Sequence, residues 1–175
     1  MKYVALLRGI NVGGHNKIKM DELREMFSTL GFENVQSYIN SGNIIFDSGK
    51  SKNKTLVTKI EKAIEKTFSL SIKVVVRESA EINDLVAQNP FDDKMSPDNN
   101  LFVAFLSDEL SSDKQELLLS NNNESEEFAI VNQDVFCLSQ KGFRDGLLGK
   151  KYIDNKLKTS ATVRNWRTVN KLLEF

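Results

Sequence analysis

The order of two periodicities in the first half of the chain narrows the fold more than any other feature. Short apolar runs with strand character alternate with stretches whose apolar residues recur at helical spacing. Tyr3 to Leu7 is nearly continuous and ends at Gly9, the pattern of a buried strand. Leu23, Met26, Phe27 and Leu30 then mark a helix, with Asp21 and Glu22 at its positive end and Gly31 at its stop. Val35 to Ile39 and Ile44 to Asp47 read as two strands around the turn Asn40-Ser41-Gly42-Asn43. Leu56, Val57, Ile60, Ile64 and Phe68 form the apolar stripe of a second helix, and Ile72 to Arg77 closes the half as a strand. The succession βαββαβ predicts a ferredoxin-like α+β subdomain over residues 1–78. Strands one and three are neighbours in such a sheet, which sets Asn43 to Phe46 beside Tyr3 to Gly9.

The remainder, 79–175, reads as a second, similar α+β subdomain with C-terminal helices. A short helix is expected from Ser79 to Gln88, stopped near Asn89-Pro90, and then an exposed loop from Phe91 to Asn100. Leu101 to Leu106 is a strand, and Ser112-Asp113-Lys114-Gln115 fits a capping box for a helix through Leu119. Phe128 to Val131 and Val135 to Leu138 form a hairpin around Asn132-Gln133-Asp134. From Gly142 onward the chain reads as mostly helical, broken near Thr159-Ser160. The second βαββα run echoes the first in architecture, with no residue-level repeat evident.

Composition excludes several classes. A length of 175 residues suits one compact unit or two small ones, at roughly 100–200 residues per domain. One cysteine, Cys137, rules out an internal disulfide, and one histidine, His15, makes a structural zinc site a poor fit. The longest apolar run, Leu101 to Leu106, is far too short to span a bilayer, and the first residues lack the apolar stretch of a signal peptide. The sequence therefore predicts a cytoplasmic chain without membrane association, and no cofactor motif is present.

The formal net charge of zero conceals a basic–acidic–basic layout. Residues 1–77 carry 13 basic and 7 acidic side chains, a net of +6. Residues 78–140 carry 2 and 14, a net of −12, and residues 141–175 carry 9 and 3, a net of +6. Such asymmetry fits an anion-binding face opposite an acidic one, although solvated faces of ordinary elements produce the same blocks.

Three segments carry candidate chemistry. Arg8-Gly9-Ile10-Asn11-Val12-Gly13-Gly14-His15-Asn16-Lys17 gathers three of the nine glycines between a strand and a helix. Glycines there permit positive φ and let successive N–H groups face an anion, with Arg8 and Lys17 adding charge. The segment matches neither G-x-x-x-x-G-K-[ST] nor G-x-G-x-x-G, and a sharp turn alone demands the same residues. Asn40, Ser41 and Asn43 offer neutral hydrogen bonds near that loop, and a tight hairpin also favours them. Thr162 to Lys171 reads as a helix, with Val163, Trp166, Val169 and Leu173 on one face and Arg164, Thr168 and Lys171 on another. The candidate ligand-binding set is thus Arg8, Asn11, Gly13, Gly14, Lys17, Asn40, Ser41, Asn43 and Arg164, with Arg164 closing a site shared by the two basic ends. His15 has no partners for a catalytic triad, and Cys137 alternates into an apolar strand as an inert buried thiol.

These segments also carry a resemblance. Tyr3 to Gly14, Met20, Leu23, Gly31-Phe32, Ser37 to Asn43, Phe46, Asn89-Pro90-Phe91 and Thr162 to Thr168 are similar to a widespread bacterial family, domain of unknown function family 1697. The resemblance spans nearly the whole chain and implies ferredoxin-like α+β subdomains, with no established activity to carry over.

Three functions compete at this level. The first is binding of a phosphate-bearing or otherwise anionic ligand, a nucleotide or a nucleic-acid backbone, at the glycine-rich loop. The second is a small phosphate-handling hydrolase, by analogy with the loop of acylphosphatases, whose order of glycines and arginine is not reproduced here. The third is a protein–protein module that uses the acidic stretch Glu78 to Asp134.

Overall fold

A computed structural model describes residues 1–96 and 100–175. The chain divides into two compact units, Met1–Ile82 with Leu172–Phe175, and Asn83–Lys171. In the first, β1 (Lys2–Leu7), α1 (Met20–Thr29), β2 (Glu33–Tyr38), β3 (Asn43–Asp47), α2 (Asn53–Phe68) and β4 (Val74–Glu78) follow in the expected order. The sheet runs β2-β3-β1-β4, with every pairing antiparallel. Tyr3 opposes Phe46 and Leu6 opposes Asn43, so β3 lies beside β1 as the sequence predicts.

Alternation along the strands decides what this sheet buries. Tyr3, Ala5 and Leu7 of β1, Ile44 and Phe46 of β3, and Val74 and Val76 of β4 face the helices. Leu23, Met26 and Phe27 of α1 and Leu56, Ile60 and Ile64 of α2 complete that core. Phe46 is its centre, with ring centroids 4.4 Å from Phe32, 5.5 Å from Phe27 and 5.7 Å from Tyr3. The buried Tyr3 hydroxyl accepts from Ser51 N–H at 3.1 Å and lies 3.2 Å from Ser51 O, so its polar end is satisfied. The chain end returns to this unit, where Phe175 packs on Tyr38 and its carbonyl accepts from Lys2 Nζ.

After α3 (Ser79–Ala87), a 3₁₀ turn spans Asp92–Lys94. The loop expected from Phe91 to Asn100 includes residues 97–99, which lie outside the described residues. The second unit then runs β5 (Asn100–Leu106), α4 (Ser112–Leu119), β6 (Glu126–Val131), β7 (Asp134–Ser139), α5 (Gly142–Asp145), α6 (Tyr152–Asn155), β8 (Ala161–Asn165) and α7 (Trp166–Lys171). Its sheet order, β6-β7-β5-β8, repeats that of the first sheet, again antiparallel throughout. The protein is therefore a mixed α+β chain of two similar halves.

Three expectations are corrected here. Thr162 to Lys171 is not one helix: Ala161–Asn165 pairs with β5, and α7 begins only at Trp166. Asn165 Oδ1 accepts from Thr168 N–H at 2.8 Å and starts that helix. The capping box at Ser112 does not form either: the boundary residue is Ser111, and Gln115 Nε2 donates to Leu110 O at 2.9 Å. Finally, a residue-level repeat exists. Tyr3-Val4-Ala5-Leu6-Leu7 occupies the place in the first sheet that Phe102-Val103-Ala104-Phe105-Leu106 occupies in the second. Val4 opposes Arg77 on β4 as Val103 opposes Arg164 on β8, and Ala5 opposes Val76 as Ala104 opposes Val163.

Among the described residues no helix is long and apolar enough to cross a membrane.

Candidate functional site

At the end of β1 the chain leaves the sheet at Arg8, whose N–H donates to Lys73 O at 2.9 Å, and turns at Gly9 with φ +65°. The segment beyond is a closed miniature hairpin. Asn11 N–H donates to Asn16 O at 3.2 Å, His15 N–H donates to Val12 O at 3.0 Å, and Val12 bridges His15. Gly13 and Gly14 form its tip at φ +57° and +80°, the left-handed pair a tight hairpin turn requires. Asn11 and Asn16, at φ +55° and +47°, are the non-glycine type that tolerates this region best. A Cβ on Gly14 would meet nothing within 4 Å, so backbone conformation and not crowding demands glycine there.

Asn11 is the clip of the assembly. Its Nδ2 donates to Ile18 O and to Asn40 O, both at 2.9 Å, and its Oδ1 accepts from Ile18 N–H at 2.9 Å. Asn16 Nδ2 adds a bond to Gly9 O at 3.1 Å. The side-chain amide of Asn11 is thus spent on backbone, fixing the hairpin to the Asn40-Ser41 turn.

That turn is pinned from below. The carbonyl of Gly42, a residue at φ +80°, accepts from Leu7 N–H at 2.8 Å, and a Cβ on Gly42 would approach Leu7 Cβ to 2.7 Å. Asn43 has no exposed surface, and its Nδ2 donates to Tyr38 O at 2.9 Å and to Ser41 Oγ at 3.0 Å. The expectation that Asn43 orients a ligand is therefore revised: it closes the turn from inside and presents nothing to solvent. Ile39 lies at φ +50° and is half exposed, a strained setting for a β-branched residue that its sequence neighbours did not announce.

The β1–β3 pairing and the Asn11 clip bring most of the predicted residues to one end of the first sheet. Lys17, Gly13, Gly14, His15 and Asn40 are exposed there, and Arg8, Asn11 and Ser41 are half-buried. Arg164 belongs to the other unit, on β8, where burial lowers its guanidinium to about 10 and its Nη1 donates to Val163 O at 2.9 Å. A separate cavity of about 430 Å³, lined by Lys2, Asn34, Gln36 and Asp47 among others, opens where the β2 register shifts. It lies at the Lys2–Asp47 end of the strands, opposite the glycine hairpin at the Leu6–Asn43 end.

Other chemistry is sparse. Cys137 is buried in β7, its thiol pushed up to about 12 by desolvation and then by the charge of Glu126, so it is no nucleophile. Among the described residues no group of three or more His, Cys, Asp or Glu side chains is placed to hold a metal ion.

Fold and site together define an α+β protein of two four-stranded antiparallel sheets, with a hydrogen-bonded glycine hairpin at one end of the first. The chain belongs to the family described as protein of unknown function (DUF1697), which it matches over residues 1–136. It is similar in structure to the conserved bacterial protein SP0830 from Streptococcus pneumoniae, at a TM-score of 0.79 and 27% identity, with 99% of this chain and 97% of that one covered. No curated protein matches the chain.

Proposed function

We propose that this protein binds a small phosphate-bearing ligand, such as a nucleotide, at the glycine hairpin. One observation carries the reading: Asn11 ties the hairpin to its own exit at Ile18 through two bonds and to the neighbouring Asn40-Ser41 turn through a third, all of 2.9 Å. A preformed surface binds without the cost of ordering a loop. Gly13 and Gly14 hold their amides at an exposed tip, and Lys17 supplies an exposed cation nearby in sequence. Arg8 stands at the root and Ser41 at the neighbouring turn. Anions are favoured where backbone N–H groups and cations lie together, and each charge-assisted bond is worth about 1.5–3 kcal/mol.

Calorimetric titration with inorganic phosphate and with nucleoside mono- and diphosphates tests this. The reading expects saturable binding at low salt that weakens about tenfold in Lys17→Ala. Heats indistinguishable from dilution for every phosphate compound would remove it.

A further inference from the structure

In both units the link from the third strand to the fourth is the basic one. Residues 48–70 of the first unit carry six lysines against Glu61 and Glu65, a net of +4. Residues 140–160 of the second carry six cations against Asp145 and Asp154, also +4. The first link is the 16-residue helix α2, whereas the second is irregular, with only the four-residue helices α5 and α6. Leu148, Ile153 and Leu157 are buried in the second unit's core, so the link's apolar side is committed to the sheet. Glu126 fastens it further, its Oε1 accepting from Leu147 N–H at 3.1 Å. All six cations, from Lys141 to Lys158, are exposed, and none pairs with a carboxylate among the described residues.

Two of the six stand where lysine is a poor choice. Lys151 and Lys158 lie at φ +57° and +52°, where glycine or asparagine is less strained. Between Lys141 and Arg144, Phe143 keeps 43% of its surface exposed, its ring 5.8 Å from that of Phe102. The link therefore combines exposed cations, two of them held against backbone preference, with an exposed ring on an aromatic support.

We infer that residues 141–158 form a binding surface for single-stranded nucleic acid, separate from the glycine hairpin. The cations would track phosphates and Phe143 would stack on a base, the combination by which single strands are held without reading sequence. Four-residue helices give no rod for the major groove of a duplex. A lipid surface fits poorly, because the link's aliphatic residues already lie in the core and cannot insert.

Fluorescence anisotropy with labelled single-stranded RNA and DNA tests the inference on the full chain, beside the matching duplexes and phosphatidylserine vesicles. Single strands are expected to bind, with affinity falling as salt rises, and duplexes and vesicles to bind at least tenfold more weakly. Phe143→Ala should weaken binding about tenfold. Lys158→Gly and Lys151→Gly should each weaken binding and flatten the salt slope by about 0.7, while raising the melting temperature. Loss of affinity in a more stable variant cannot come from unfolding. Lys17→Ala should leave single-strand binding unchanged, which keeps this surface distinguishable from the hairpin site. No binding at low salt, equal binding to duplex or vesicles, or unchanged affinity in Lys158→Gly and Phe143→Ala would each overturn it.

Discussion

Gly42 is the residue on which the candidate site's geometry turns most sharply. It stands between Ser41 and Asn43, at φ +80°, with Leu7 Cβ and Ile10 Cδ1 at 2.7 and 2.9 Å from where a Cβ would sit. Gly42→Ala meets both a left-handed backbone and a packed core, and is expected to lower stability by about 2 kcal/mol or more in urea denaturation. Gly14→Ala, with open space around it, suffers only the backbone cost and should lose about 1 kcal/mol. The sequence displayed these glycines as one kind of signal, a turn. It could not separate a glycine demanded by crowding from one demanded by φ alone, because the crowding comes from Leu7 and Ile10 across the sheet end. Asn11 and Asn43 illustrate the same limit: both are polar residues in turn-rich segments, and only tertiary placement assigns their amides to backbone instead of to a ligand.

Cys137 gives a residue-scale effect of pH. Its thiol titrates near 12 in the fold and near 9 when unfolded, because burial disfavours the thiolate. As pH rises above 9 only the unfolded chain ionises, so the contribution of this group to stability is intact below pH 9 and declines between 9 and 12. The denaturation midpoint should therefore fall more steeply from pH 8 to pH 10 in the natural chain than in Cys137→Ala.

At the scale of elements, the strands and helices of the first unit were legible because each keeps a single period over its whole length. β8 was not. Val163, Trp166, Val169 and Leu173 recur at helical spacing across what is a strand followed by a helix, so the pattern extends past a boundary it does not mark. The boundary lies in the pairing with β5, a contact over more than fifty residues of chain that no local window contains. One substitution has opposite signs in the two readings. In a continuous helix Asn165→Ala would stabilise, since alanine is the better helix former. With Asn165 Oδ1 holding Thr168 N–H at the start of α7, the same change is expected to cost about 1 kcal/mol. Thermal denaturation of Asn165→Ala reads the sign directly.

At the scale of the whole molecule, chain order and spatial order part company. The sequence blocks of +6, −12 and +6 redistribute once the units are drawn: the first carries 13 basic and 10 acidic side chains, the second 11 and 14. The large acidic block dissolves into a unit with a net of only −3, because residues 141–171 return nine cations to it. The repeat of sheet order and of the Tyr3–Leu7 motif at Phe102–Leu106 shows why two similar halves could be expected from pattern alone. A match five residues long, with aromatic and aliphatic exchanges, acquires meaning only from its equivalent place in each sheet. The last four residues belong with the first unit, where Leu172 is buried and Phe175 packs on Tyr38. A chain ending at Lys171 should melt at a lower temperature than the full chain, with the loss read as faster amide exchange in β1 to β3.

The central claim is that a preformed glycine hairpin receives an anion, and backbone amide chemical shifts test it at the atoms concerned. In a titration of 15N-labelled protein with inorganic phosphate and then adenosine monophosphate, the N–H resonances of Gly13 and Gly14 should move saturably. The shifts should weaken in Lys17→Ala and in high salt, while amides at the Lys2–Asp47 end of the sheet stay still. If Gly13 and Gly14 do not move, or if the shifts are spread evenly over the surface and never saturate, the hairpin is a structural turn and the binding account is wrong.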